Sequence, residues 1–164
     1  MKKVLLVVMV ATLMAAALVL VGCGDGVVTI ETEDGEMKIS EKKGEVKVSS
    51  EEGEATVSSD MPTEAELGVP IYPGAEMEEN AAFSTDTASV VVLLTGAPAD
   101  EVVAWYKDQL SDQPGYQLVG ETADTAVLTV QSGDTLKMVT IGKGTGDNSN
   151  RTTIGIATEK LPNQ

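Results

Sequence analysis

The chain contains no histidine and a single cysteine, Cys23. An intramolecular disulfide is therefore impossible. Zinc sites built from Cys and His are excluded, and so are catalytic triads that use His as the base. Positive charge is scarce as well. Eleven Lys and Arg stand against 26 Asp and Glu, a formal charge of −15. Such a chain repels nucleic-acid phosphates and anionic lipid headgroups, so no nucleic-acid partner is expected. A solvated acidic surface, cations or cationic partners are compatible with it. At 164 residues the chain can build one modest core, or a small domain plus a repeat segment, but not a multidomain enzyme.

Charge is also missing from Val4 to Gly22, a run rich in Val, Leu, Ala and Met that follows the basic start Met1-Lys2-Lys3. A short basic segment before an apolar stretch reads as a secretory signal. A spanning helix needs a similar length, roughly 17–25 residues, so length alone does not separate the two. The end of the run does. Leu20-Val21-Gly22-Cys23 resembles the lipobox of bacterial lipoproteins. The resemblance implies cleavage between Gly22 and Cys23, a diacylglyceryl group on the Cys23 thiol, and a further acyl chain such as palmitate on the new amino group. It makes residues 1–22 a signal peptide and Cys23 a lipidation site. Its loss leaves 142 residues with a formal charge near −17, because Lys2 and Lys3 go with it. Each buried methylene contributes about 0.8 kcal/mol, so two or three chains hold a protein on its membrane where one does not. The expected location is the extracytoplasmic face of the cell membrane or of an outer membrane. Gly24, not Asp, follows Cys23, so the inner-membrane retention rule gives no assignment.

Residues 23–60 carry a nine-residue spacing of glycines at Gly26, Gly35, Gly44 and Gly53. The second residue after each Gly is apolar (Val28, Met37, Val46, Ala55), and so is the fourth (Ile30, Ile39, Val48, Val57). Alternation of this kind is the signal of half-buried strands, with Gly and acids at the turns. It predicts four short strands, joined as hairpins or stacked as a small solenoid. They resemble the Gly-rich strand repeats of some bacterial adhesin-like domains, which implies a spacer or an adhesive β surface. An acidic stalk that lifts the next domain off the bilayer is the preferred reading. The clustered acids, such as Glu33, Asp34 and Glu36, lack the spacing of an EF-hand loop, and no metal site is expected.

Ser58 to Glu66 is polar, contains Pro62 and breaks the repeat, so 61–66 reads as a linker. Residues 67–160 form the expected compact domain, with 161–164 as a tail. A strand is expected within 81–94, and its branched run Val90 to Leu94 suggests a central strand covered on both faces, or on one face and by the stalk. A helix begins near Pro98 with acids in its first turn. Val102, Tyr106 and Leu110 give it one apolar stripe, and Pro114-Gly115 stops it. Strands follow at 116–121, 125–131, 136–141 and 152–158, with a mobile polar loop at 142–150. The expected fold class is α+β: an antiparallel sheet with one packed helix in two layers, preceded by the β-repeat segment and an N-terminal signal helix.

Val69-Pro70-Ile71-Tyr72-Pro73-Gly74-Ala75, Val102-Val103-Ala104-Trp105-Tyr106-Lys107 and Gly115-Tyr116 together resemble a domain of uncharacterised bacterial lipoproteins. The resemblance spans residues 67–160 and implies a fold and a location, with no catalytic residues.

No catalytic set emerges. Asp100, Glu101 and Asp108 lie on a helix surface, which supplies no cleft for paired carboxylates. Gly142-Lys143-Gly144-Thr145-Gly146 lacks the order of a P-loop. Asp147, Asn148 and Asn150 offer oxygens for a cation, as polar loops often do. Trp105 and Tyr106 read as core. The expectation is a non-enzymatic, lipid-anchored envelope protein without a cofactor, whose small α+β module meets an envelope protein partner. The alternative is a small-ligand or cation binder.

Overall fold

The computed structural model describes residues 26–32, 35–42, 44–50, 53–122 and 124–162. The expected signal peptide and the Gly22-Cys23 cleavage and lipidation site lie outside the described residues. Strands are β1 (Gly26–Thr32), β2 (Gly35–Lys42), β3 (Glu45–Ser50), β4 (Gly53–Ser58), β5 (Glu76–Thr85) and β6 (Ala88–Thr95). After a helix come β7 (Tyr116–Glu121), β8 (Ala126–Ser132), β9 (Thr135–Lys143) and β10 (Thr152–Lys160). They form one sheet in the order β1-β2-β3-β4-β5-β6-β10-β9-β8-β7. Every neighbouring pair is antiparallel. The short helix α1 spans Glu64–Leu67 and the long helix α2 spans Ala99–Leu110. The arrangement is α+β, an open antiparallel sheet with one long helix.

The alternation of directions makes β6 and β7 parallel, four places apart. Helix α2 is the crossover that carries the chain past β10, β9 and β8. Acids at Asp100 and Glu101 suit its N-terminal dipole, and Lys107 suits its last turn. Val102, Val103, Tyr106 and Leu110 bury the stripe that faces the sheet. Beneath them lie Leu93, Leu128, Val139, Ile141, Ile154 and Ile156, all at 0–1% exposure. Full burial of each such side chain contributes roughly 1.5–3 kcal/mol. Tyr72 closes the core at one end, its ring 5.3 Å from that of Trp105 in an edge-on contact. Trp105 in turn meets Tyr106 edge-on at 4.8 Å.

Several expectations are corrected. The single strand within 81–94 is two strands. Asp86 and Thr87 turn the chain between them, and the Thr85 hydroxyl accepts hydrogen bonds from the Thr87 and Ala88 amides at 3.4 and 3.0 Å. β6 is not covered on both faces. Val91 and Leu93 are buried under α2, while Val90 and Val92, pointing the other way, are exposed. The expected linker at 61–66 runs into α1, whose end, Leu67, is core. The repeat strands pair as successive hairpins, which removes the solenoid alternative. Their last member, β4, pairs with β5, so residues 26–58 widen the sheet of the following segment.

Loop 142–150 starts later than expected, because β9 runs on to Lys143, while β10 begins at Thr152 as expected. A 3-10 turn at Gly146–Asn148 fills the remainder. The Gly144 amide donates to the Arg151 carbonyl at 2.8 Å and the Arg151 amide to the Asn148 carbonyl at 2.9 Å. Asn148 Nδ2 and Arg151 Nη2 then reach across to Glu78 and Glu76 of β5, both at 2.8 Å. The polar residues that suggested mobility strap the loop to a neighbouring strand.

Candidate functional site

Two features stand out, on opposite sides of the sheet. The first is a groove of about 560 Å³ where the N-terminus of α2 meets the β9–β10 loop. Pro98, Asp100, Asp124, Lys143, Asn150 and Thr152 are among its walls. Two buried threonines fix its base. Thr95 Oγ1 accepts from the Ala97 amide at 3.2 Å, and Thr152 Oγ1 donates to the Ala97 carbonyl at 2.7 Å. Pro98, the N-cap residue of α2, has no capping side chain. The charges are mixed, with Lys143 and Arg151 against Asp100 and Asp124. Such a groove can hydrogen-bond a small polar molecule but carries no net preference for one sign.

The second feature is the side of the sheet that faces away from α2. In antiparallel pairs, residues directly opposite share a side. The registers therefore put Val57, Phe83 and Val90 in one row with Ala157 and Met138. Val92 shares that side with Gly155 and Thr140. Ile39, Val48 and Ala55 extend it toward β2. Phe83, Val90, Val92 and Met138 are 37–44% exposed. The charges of strands β2–β4 lie mostly on the α2 side, where Lys38 meets Glu36 and Lys47 meets Glu54. The Lys47 pair depresses the Glu54 carboxyl below its usual range and raises Lys47, chiefly through their hydrogen bond.

The residues weighed for chemistry do not converge. Asp100 and Glu101 share the first turn of α2, but Asp108 is two turns on, beside Gln109. Lys107 pairs with Glu121 at 2.6 Å. Asn148, next to Asp147 in the 3-10 turn, is bound to Glu78 of β5. Among the described residues no three His, Cys, Asp or Glu gather as a metal site. Among them too, no helix is long and apolar enough to cross a membrane. The groove was not foreseen, because it forms between segments about 50 residues apart. The apolar side had a signal, since the unbroken run Val90 to Leu94 needs cover on both faces.

Residues 76–152 match the model of a family described as START domain-like. The matched stretch runs from β5 to the start of β10, and so holds α2, most of the core and the whole lining of the groove. It lies inside the segment 67–160 and excludes β1–β4. No curated protein and no solved structure matches the chain.

Proposed function

We propose that this is an exported lipoprotein, held on the extracytoplasmic face of a membrane by lipid on Cys23, whose α+β module works by protein contact and not by catalysis. The lipobox motif Leu20-Val21-Gly22-Cys23 supports the anchor. The exposed apolar side at Phe83, Val90, Val92 and Met138 is the observation that supports a contact module. Residues 23–60 act as the spacer. Because β4 pairs with β5, the spacer is a continuation of the sheet and not a loose tether. Four strands at about 4.8 Å each put β1 about 19 Å from β5. Cys23 precedes β1 by three residues, a reach of roughly 10 Å. The β1 edge is thus the membrane end, and α2 with its groove is held away from the lipid.

Two measurements test this. Cys23→Ser should move the protein from the membrane fraction to the soluble fraction. Cross-linking in native membranes should capture a reproducible partner on residues 67–160. A bait that carries no lipid would overturn the anchor, and unchanged envelope contacts after deletion of 67–160 would overturn the module.

A second reading, binding of a small ligand or cation, is favoured by the 560 Å³ groove and by the START domain-like match, since such domains are generally ligand-binding. A saturable thermal shift of several degrees with a metal, lipid or sugar, abolished by Lys143→Glu, would promote it above the first.

A further inference from the structure

We infer that the groove between the start of α2 and the β9–β10 loop takes a small zwitterion, an amino acid or very short peptide held by its ammonium and its carboxylate together. The inference rests on the small-ligand reading of this groove, and it names the chemistry of the ligand.

Construction is the first argument. Thr95 and Thr152, each 4% exposed, commit their hydroxyls to the Ala97 amide and carbonyl, which pins the entry of α2 to the ends of β6 and β10. The β9–β10 loop is closed by the Gly144 amide on the Arg151 carbonyl, and it is tied to β5 through Glu76 and Glu78. Walls fixed in advance lose little freedom when a ligand arrives. The space between them, about 560 Å³, lies within the usual range of small-molecule sites.

Gly96 is the second. It lines the groove, and nothing within the chain requires it to be glycine. Its φ is not positive, and an added Cβ would meet no atom within 4 Å. With Ala97 and Ala99 it keeps this wall bare of long side chains. Apart from Ala97, Pro98 and Ala99 the lining is polar or glycine, so a long acyl chain would find no cover there.

Charge is the third, and it selects the ligand. Lys38, Lys47, Lys107 and Arg151 each meet a carboxylate within 4 Å. Lys143 meets none among the described residues, although Asp100 and Asp124 line the same groove, and those two carboxylates meet no cation. Arg151 is engaged with Glu76 and the Leu94 carbonyl, so Lys143 is the free cation of the lining. Opposite charges thus face one space without closing on each other. A simple cation there would face Lys143, and a simple anion would face Asp100 and Asp124. A molecule with both charges matches the carboxylates with its ammonium and Lys143 with its carboxylate. The unmatched charge rejects ligands that carry only one. A zwitterion has no net charge, so a chain of charge −15 does not repel it as it repels an anion.

The probe is L-alanyl-L-alanine, titrated by equilibrium dialysis into the full-length protein extracted in mild detergent. Its N-acetyl form, which lacks the ammonium, and its carboxamide, which lacks the carboxylate, are titrated beside it. The dipeptide should bind saturably at one site, and each blocked form should bind about fivefold more weakly, the effect of one solvated charge pair. Lys143→Gln should weaken the dipeptide by a similar factor and leave the carboxamide unchanged. Asp100→Asn with Asp124→Asn should weaken the dipeptide and leave the N-acetyl form unchanged. Gly96→Leu, which fills open space, should abolish binding at an unchanged melting temperature. Asp108→Asn, outside the groove, should change nothing. Dipeptide binding that survives Gly96→Leu overturns the placement in this groove. If the blocked forms bind as tightly as the dipeptide, the groove is a small-ligand site and the zwitterion is wrong. The same holds if the dipeptide fails while a metal, a lipid or a sugar gives a Lys143-dependent thermal shift. Tighter, Lys143-dependent binding of phosphoethanolamine would assign the groove to a lipid headgroup and overturn the amino-acid class. If no probe binds, the proposal and the small-ligand reading fall together.

Discussion

Arg151 Nη2 lies 2.8 Å from Glu76 Oε2 and 3.3 Å from the Leu94 carbonyl oxygen, so one guanidinium closes the end of the sheet across β5, β6 and the start of β10. It is the only arginine of the chain. Removing it should cost more through the lost hydrogen bond to the Leu94 carbonyl than through the ion pair, because Glu76 is 75% exposed and surface pairs contribute about 0–1 kcal/mol. Arg151→Ala is expected to lower stability by about 1 kcal/mol, and Glu76→Gln by less than about half of that. Urea denaturation midpoints of the two variants check the order. An equal loss for both would place the weight on the charge pair.

Tyr106 has no exposure, and its hydroxyl has no hydrogen-bond partner of full geometry, although the backbone of Tyr72 acts on it. A buried polar group without a partner costs about 1–3 kcal/mol. Tyr106→Phe is therefore expected to leave stability unchanged or raise it by about 1 kcal/mol, where loss of a packed ring would lower it.

The same hydroxyl makes a pH prediction. Burial, ahead of any other influence, pushes the Tyr106 hydroxyl well above the usual phenol range, and the Tyr72 backbone only partly offsets this. In the unfolded chain a tyrosine ionises near pH 10. Above that pH the unfolded state gives up a proton that the folded state keeps, so stability is full below about 10 and falls as pH rises toward the folded value. Stability measured between pH 9 and 11.5 should fall more steeply in the wild type than in Tyr106→Phe. Parallel curves would sink the assignment.

Gly115 has φ +75°, and a Cβ there would overlap the Gln131 carbonyl oxygen. Gly115→Ala should cost more than about 1 kcal/mol, because both the backbone and the space oppose it. Gly155→Ala, with open space and an ordinary strand conformation, should be neutral or slightly stabilising in one chain. Thermal unfolding of both variants separates the cases.

Much of the fold is legible in the sequence, because it is written in local periods. The helix stripe Val102, Tyr106, Leu110 and the strand at 116–121 depend only on spacing and turn residues, and both lie where spacing puts them. Long-range facts are not local. The sequence alternates Val46, Val48, Ala55 and Val57, but which side of the sheet they join depends on the register of β4 with β5. That register joins them to Phe83 and places them away from α2. The turn at Asp86-Thr87 was hidden by a run of strand-forming residues, since a threonine side-chain turn carries no glycine or proline to mark it. The groove depends on Ala97 meeting Thr152, and no spacing encodes that contact.

Helix α1 had a readable signature that the proline at 62 obscured. Thr63 and Glu66 form a capping box: Thr63 Oγ1 accepts from the Glu66 amide at 3.3 Å, and Glu66 Oε2 accepts from the Thr63 amide at 2.7 Å. This short turn sets Leu67 and Val69 into the core. Thr63→Ala should destabilise the protein by about 1 kcal/mol, the usual cost of an N-cap. The Thr63 backbone amide, more than its hydroxyl, holds the Glu66 carboxyl below its usual range. A depressed carboxyl contributes stability above its unfolded value, near 4.3, and loses it as pH falls through the folded value. Acid unfolding of Glu66→Gln should therefore begin from a lower neutral-pH stability and show a shallower dependence below pH 5 than the wild type. If the two profiles stay parallel from pH 7 to pH 3, the box contributes nothing as a charge, and α1 is held by Leu67 alone.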